Sequence, residues 1–388
     1  MKFLRKFETP TKELDWLMSA SFVTPNVLLT EDIIRYNEEL SFTEIPLYVE
    51  AIENLSVKFS NTYEYSRDNE EWTAGTSDTS IEVNATERVF FRATGLTASS
   101  VGIGKFTILD GKCNLGGNIM SMLHGSEYVG NTNVFNSCFA RMFQDNDSIV
   151  DASNLKLPAT SLRPFCYSYM FFGCASLKNA PELPAVNLAE YCYQDMFRGC
   201  SSLTIAPELP ATTLAESCYT GMFTSASLTT PPKLPATTLE RGCYYSMFFG
   251  NTKLTYAPDL PATSLASKCY ERMFCGCHNL IKAPKLPATT LTFGCYWGMF
   301  DRCTSLENAP DLPATKLEEV CYYGMFYGCS KLNYIKMLAT DISARDCLTN
   351  CVYGVSPTGT FVKNSEATWD VVGINGVPEG WTVEYATT

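Results

Sequence analysis

APELPATTLAESCYTGMF, Ala206 to Phe223, is the clearest copy of a phrase that recurs from Leu157 to Leu338. Its anchor leucine stands at Leu157, Leu183, Leu209, Leu234, Leu260, Leu286 and Leu312, in steps of 26, 26, 25, 26, 26 and 26 residues, and a fading copy follows at Leu338. A fixed period between about 20 and 50 residues marks stacked repeats, each unit burying its apolar face only against its neighbours. The stack is therefore the frame on which every other reading rests.

Within one unit, apolar residues follow the Leu-Pro-Ala at steps of four: Leu214, Cys218 and Met222 with Phe223, then Leu239, Cys243, Met247 and Phe248, and later Leu317, Cys321, Met325 and Phe326. Steps of four place side chains on one stripe of an α-helix. Thr213 with Glu216, Thr237 with Glu240 and Thr315 with Glu318 have the spacing of a capping box. Gly173, Gly199, Gly250, Gly276 and Gly328 stand where a left-handed residue closes a helix. The spacing thus predicts about three turns of helix per unit. The other half, Ser202 to Leu209, has apolar residues every third position and a proline that cannot donate to a ladder. It reads as an extended arc with pairing limited to the two or three residues before each Ala-Pro. Strands stack at about 4.8 Å and helices at roughly 10 Å, so such a ribbon is expected to curve with its strands inside.

The expected fold class is α/β: a curved solenoid of 26-residue strand–helix units over 116–351, including an N-terminal cap. A small antiparallel β domain over 51–115 precedes it, where period-two pairs such as Val57 and Phe59, Ile81 and Val83, and Val89 and Phe91 occur. Residues 1–50 hold too little apolar sequence to fold alone and read as a docking segment. Residues 352–388 read as a β cap on the open end. Cys138 and Met142 carry the four-residue step into a degenerate first repeat.

The formal net charge of −12 argues against a nucleic-acid backbone as partner. No apolar run is long enough to insert into a membrane, and the opening MKFLRKFETPTKELDW lacks the uninterrupted apolar core of a secretion signal. Most of the 17 cysteines form two ladders, one through Cys166, Cys192, Cys218, Cys243, Cys269, Cys295 and Cys321, the other through Cys174, Cys200, Cys277, Cys303 and Cys329. Eight residues of helix, about 12 Å, separate the ladders, too far for a disulfide. Reduced, buried thiols acting as small apolar spacers are expected, with Ala226 and Asn251 as small replacements. Cys275, Cys277 and His278 lack a second ligand pair for zinc, and His124 has no nucleophile signature near it. No metal, cofactor or catalytic residue is expected.

One row invites a binding role. Glu182, Glu208, Lys233, Asp259, Lys285 and Asp311 each stand between the Pro and the Leu of their unit, with Tyr256 and Tyr334 available to stack on a sugar ring or contact a protein. The competing readings are a solvated edge that keeps the stack soluble and an acid–base pair of Glu182 with Glu208 for glycoside cleavage.

MFRGCSSLTIAPELPATTL, MFDRCTSLENAPDLPATKL and MFYGCSKLNY resemble BspA-type leucine-rich repeats over about 116–351, departing from them in the 26-residue period and in Leu-Pro-Ala-Thr for an Ile-Pro segment. The opening KFLRKFET with TPNVLLTED resembles the N-termini of structural proteins of crAss-like and related Bacteroides phages. ERVFFRATGL and NIMSMLHG are similar to the module that precedes such repeats. The resemblance implies a non-enzymatic virion protein of capsid or tail fibre, assembled in the host cytoplasm and homo-oligomeric as fibres are. Phe3, Leu4, Phe7, Val27, Leu28 and Leu29 would then dock to other virion proteins, and the solenoid would meet a host surface protein or glycan. The alternatives are a BspA-like adhesin on a bacterial cell surface, which is expected to carry an export signal, and a carbohydrate-active enzyme.

Overall fold

The computed structural model describes residues 44–94 and 102–386; Phe3, Leu4, Phe7, Val27, Leu28 and Leu29 lie outside them. The fold is β-rich, built from several small sheets. Among the described residues, regular helix is confined to α1 (Ser121–His124) and a single 3-10 turn after it.

The N-terminal part follows its alternation. Strands β1 (Tyr48–Ala51), β2 (Leu55–Phe59), β3 (Tyr63–Ser66), β4 (Thr73–Gly75), β5 (Ile81–Val83), β6 (Arg88–Ala93), β7 (Phe106–Leu109) and β8 (Cys113–Asn118) pair antiparallel in two sheets. The larger has the order β4-β3-β6-β1-β8-β9, where β9 is Ile149–Lys156, and the smaller β5-β2-β7. Val57, Phe59, Ile81, Val83, Val89 and Phe91 are all buried. The expected boundary at 115/116 is crossed by the larger sheet, because β9 (Ile149–Lys156) pairs parallel with β8. The core crosses it too: Phe106 stacks on Phe143 at 5.4 Å between ring centroids, and Phe143 on Phe171 at 5.3 Å.

From Ser137 onward the expected helices are absent, and a ribbon of four-residue turns replaces them. In one coil the N–H groups of Thr220, Met222, Thr224 and Ala226 donate three residues back, to Ser217, Tyr219, Gly221 and Phe223. The alternate N–H groups of Tyr219, Gly221, Phe223 and Ser225 donate to the next coil, to the carbonyls of Cys243, Tyr245, Met247 and Phe249 at 2.7–3.0 Å. Half of the ribbon's donors thus bond within a coil and half between coils. A positive φ recurs every fourth residue, at Ser217 (52°), Gly221 (62°) and Ser225 (55°).

The four-residue step explains why a helix was expected and why it fails. An α-helix repeats at 3.6 residues, so a strict step of four drifts about 40° per turn around it. The buried pairs Cys166–Tyr167 and Met170–Phe171 repeat at the same strict step of four. The glycines expected to close helices are left-handed, at φ 69–77° for Gly173, Gly199, Gly250, Gly276 and Gly328, but each ends a run of turns. Thr213, expected as a helix cap, instead forms a parallel bridge with Thr238.

On the other side the prolines limit pairing to isolated parallel bridges such as Ile205 with Thr230, Tyr256 with Lys282 and Asn308 with Tyr334. Both sides of a coil therefore advance by a hydrogen-bonded spacing. The mismatch between strand and helix spacing that argued for curvature is absent.

Between the two sides lie columns of identical side chains. Tyr167, Tyr193, Tyr219, Tyr244, Tyr270, Tyr296 and Tyr322 stack at 5.7–6.0 Å with planes within 18°. A phenylalanine column runs beside it from Phe143 to Phe326 at 5.3–5.9 Å. The C-terminal residues prolong the stack and do not form a separate cap. Strands β10 (Tyr334–Met337), β11 (Thr360–Asn364) and β12 (Thr382–Ala386) are parallel and in register, Tyr334 opposite Thr360 and Thr360 opposite Thr382. Trp369 and Trp381 tie this end down by donating to the carbonyls of Ala339 and Ser356.

The second cysteine ladder has a hydrogen-bonding role beyond spacing. Cys174, Cys200, Cys277, Cys303 and Cys329 each donate S–H to the carbonyl of a phenylalanine in the preceding coil, at 3.0–3.2 Å. Asn251, read above as a small replacement, keeps that bond with its amide, to Phe223 O at 2.6 Å, and its Oδ1 accepts from Leu228 N–H. Asn251→Ala leaves that buried N–H without a partner and is expected to lower stability by about 1–3 kcal/mol, read from the urea midpoint. A loss under about 0.5 kcal/mol, as for ordinary surface changes, contradicts this role.

Candidate functional site

The Leu-Pro-Ala segments place one residue per coil at the same exposed position, between a proline and a buried leucine. Stacking turns Glu182, Glu208, Lys233, Asp259, Lys285 and Asp311 into a continuous row of exposed charges. The row is longer than the sequence reading had it. Lys156 joins it at one end, 3.8 Å from Glu182, and Lys336 at the other, 3.0 Å from Asp311. That hydrogen bond and the Asp311 charge raise the pKa of Lys336. Both lysines were findable, lying 26 residues before Glu182 and 25 after Asp311. With them the row carries four positive and four negative charges and is neutral within itself.

A second row runs beside it, three residues earlier in each coil at Ile205, Thr230, Tyr256, Lys282 and Asn308, and two residues earlier at Tyr334. Ile205 (63% exposed) and Tyr256 (42%) present apolar surface to solvent. The two tyrosines named from the sequence are not brought together, since the coils of Lys282 and Asn308 separate them and Tyr334 is half-buried in β10. Around Tyr256 the two rows form an open groove of about 640 Å³ lined by Glu208, Pro231, Pro232, Lys233, Asp259 and Lys282. Glu182 is outside it, 83% exposed and paired with Lys156. Glu182 and Glu208 therefore do not share a desolvated cleft of the kind that separates acid from base in glycoside cleavage.

The turn side carries a different set of groups, hidden in the sequence by the helical reading. Arg141 lies over the ring of Tyr169 at 4.9 Å, and Lys268 over Trp297 at 5.2 Å. Two acids are buried there. Asp195 pairs with Arg198 at 3.3 Å, and Glu271 with Lys268 at 3.2 Å. Burial raises the pKa of both carboxyls, only partly opposed by Arg198 and Lys268. They serve the turn ribbon and line no cleft.

The thiols and imidazoles are accounted for structurally. All 17 cysteines are buried and none is disulfide-linked. Burial pushes the thiols up, to about 12 for Cys174, Cys192 and Cys243, and holds them protonated. Cys277 bonds inward to Phe248 O, whereas the exposed His278 ring donates to Arg302 O at 2.9 Å, so the zinc-like trio diverges. His124 donates to Asn133 O. Among the described residues no group of three or more His, Cys, Asp or Glu is placed to hold a metal, and no helix is long and apolar enough to cross a membrane.

The chain matches no protein-family model, no curated protein and no solved structure. Its chemistry must be read from these two rows and the groove between them.

Two outcomes follow. Ellman's reagent is expected to find the native cysteines unreactive and to titrate all 17 in guanidinium; fast reaction of the folded chain contradicts buried, protonated thiols. For Glu271 the folded pKa is raised, so the folded state holds its proton more tightly than the unfolded one. The stability this adds is full below the ordinary carboxylate range and is lost as pH rises through the folded value. Glu271→Gln should therefore keep or raise Tm at pH 7 and flatten its fall between acid and neutral pH. A Tm lowered at pH 7 shows instead that the Lys268 pair outweighs the burial.

Proposed function

We propose that this chain is a non-enzymatic virion protein of a bacteriophage, a part of capsid or tail fibre, whose stacked coils form a variant BspA-type leucine-rich-repeat solenoid presented to a host surface protein or glycan. The observation that carries the reading is the pair of exposed rows along the Leu-Pro-Ala side. One is a self-neutral ladder of charge, the other carries Ile205 and Tyr256 into solvent. An open, repetitive, rigidly spaced face suits attachment to a repetitive surface. Its charges need no rearrangement to meet a partner, because the backbone bonds between coils already hold them in line.

The resemblance of the first fifty residues to phage structural proteins supports docking to other virion proteins through Phe3, Leu4, Phe7, Val27, Leu28 and Leu29. In this reading the N-terminus holds the particle, the coils meet the host, and the protein acts as an oligomer. A bacterial surface adhesin with the same repeats is the competing assignment.

Mass spectrometry of gradient-purified, intact particles should find the chain alongside capsid or tail proteins. Recovery only from bacterial outer-membrane fractions assigns it to the adhesin instead. Reversing charge at Asp259 and Asp311 to lysine should reduce adsorption to host cells, because it makes the row uniformly positive from Lys233 to Lys336. Adsorption unchanged by both reversals removes this face from the contact.

A further inference from the structure

We infer that the groove around Tyr256 binds one pyranose ring of a neutral glycan. The inference rests on the attachment reading above and names the chemistry that one part of that face would recognise.

The groove lies where the repeat is broken. Five units carry Ala before the conserved proline, at Ala180, Ala206, Ala257, Ala283 and Ala309, whereas here Pro231 stands in that place. The step from Leu209 to Leu234 is also one residue short. The small Thr230 lies between the larger Ile205 and Tyr256 in the second row, which leaves the depression. A regular stack offers the same surface at every coil; among the coils with Leu-Pro-Ala this one departs in the interior of the stack, the other departure being the first, where Asn154 and Leu155 stand in place of Ala-Pro.

Its lining selects the ligand. Tyr256 presents part of its ring to solvent, a flat apolar face suited to the C–H face of a sugar. Around it stand the carboxylates of Glu208 and Asp259 and the ammonium groups of Lys233 and Lys282. At both ends of the charged row such groups are consumed by the pairs Lys156–Glu182 and Asp311–Lys336. These four form no ion pair among the described residues, so they are available to adjacent hydroxyls, the carboxylates accepting and the amines donating. Two positive and two negative groups leave the groove neutral, which gives a uronic acid or a phosphate no electrostatic advantage.

An extended peptide fits less well. Pro231 and Pro232 have no N–H, and the N–H groups of Thr230 and Ala257 are already donated within the stack, to Thr204 O and Lys282 O. A polyproline helix is gripped by several parallel aromatic rings, and this groove has one. A single ring with polar side chains around it matches one sugar residue.

The test uses the full-length chain and four probes: mannopentaose and chitopentaose as neutral glycans, oligogalacturonate as an acidic one, and a proline decapeptide. Binding is read by saturation-transfer NMR and calorimetry, and adsorption to host cells is measured in parallel. A neutral oligosaccharide should bind, and Tyr256→Ala should weaken it on the order of tenfold. Tyr256→Phe should retain it, and Tyr334→Ala, on the same row three coils away, should leave it unchanged. Asp259→Asn should weaken it without abolishing it. Binding of oligogalacturonate or the proline peptide in place of the neutral sugars overturns the inference, as does equal binding by Tyr256→Ala. If neither neutral glycan binds but the chain still adsorbs to cells, the inference falls and the attachment reading survives. If the neutral glycan binds at Tyr256 but adsorption is absent, the groove's ligand stands and the attachment reading falls.

Discussion

Every second backbone N–H of the turn ribbon leaves its own coil and bonds to the next, and this sets the geometry of everything around it. A helix satisfies its donors internally and meets its neighbours through side chains, at a distance those side chains decide. Here the neighbour is a hydrogen-bond partner, so the distance between coils is that of a ladder. Rings that occupy equivalent positions are brought within 6.0 Å of one another whether or not stacking alone would hold them there. The aromatic columns are therefore a consequence of the backbone as much as a cause of the stack.

That spacing also explains the choice of side chains. At each turn there is room for a flat ring lying over its counterpart, and for a small group at the ribbon's end that can reach one carbonyl. A thiol meets the second requirement as a compact, weak donor with little desolvation cost. At Asn251 an amide does the same and accepts a further bond from Leu228 N–H. The buried cysteines are thus neither a disulfide framework nor inert filler. Those of the second ladder are a polar thread through an otherwise apolar interior, protonated because burial makes a thiolate costly.

The period of 26, the division into an extended half and a turning half, the antiparallel strands before the repeats and the row of charges could all be read from residue order, because each depends on spacing alone. The nature of the turning half could not, because steps of four at Leu214, Cys218 and Met222 suit both a helix and a turn ribbon. One signal separates them: glycine recurs at the left-handed places, as at Gly221, Gly242 and Gly250. Glycine repeated through a helix interior costs about 1 kcal/mol each; in the ribbon it relieves strain. The last coils escaped notice for another reason. Thr360 lies 26 residues after Tyr334, but no Leu-Pro-Ala surrounds it, so the period continues after its wording has gone. The groove at Tyr256 depends on Thr230 and Pro231 in the coil beside it, a relation between rows that only stacking reveals.

Because the strand side and the turn side rise by the same hydrogen-bonded increment, coil number is a free variable. Insertion of one more 26-residue unit would lengthen the stack by about 4.8 Å, the spacing of a hydrogen-bonded ladder. A chain of this kind can be extended or trimmed in genetic steps of 26 codons, each changing its reach by the same increment. The position of an odd coil such as the one bearing Tyr256 then becomes a distance measured in whole units from either terminus.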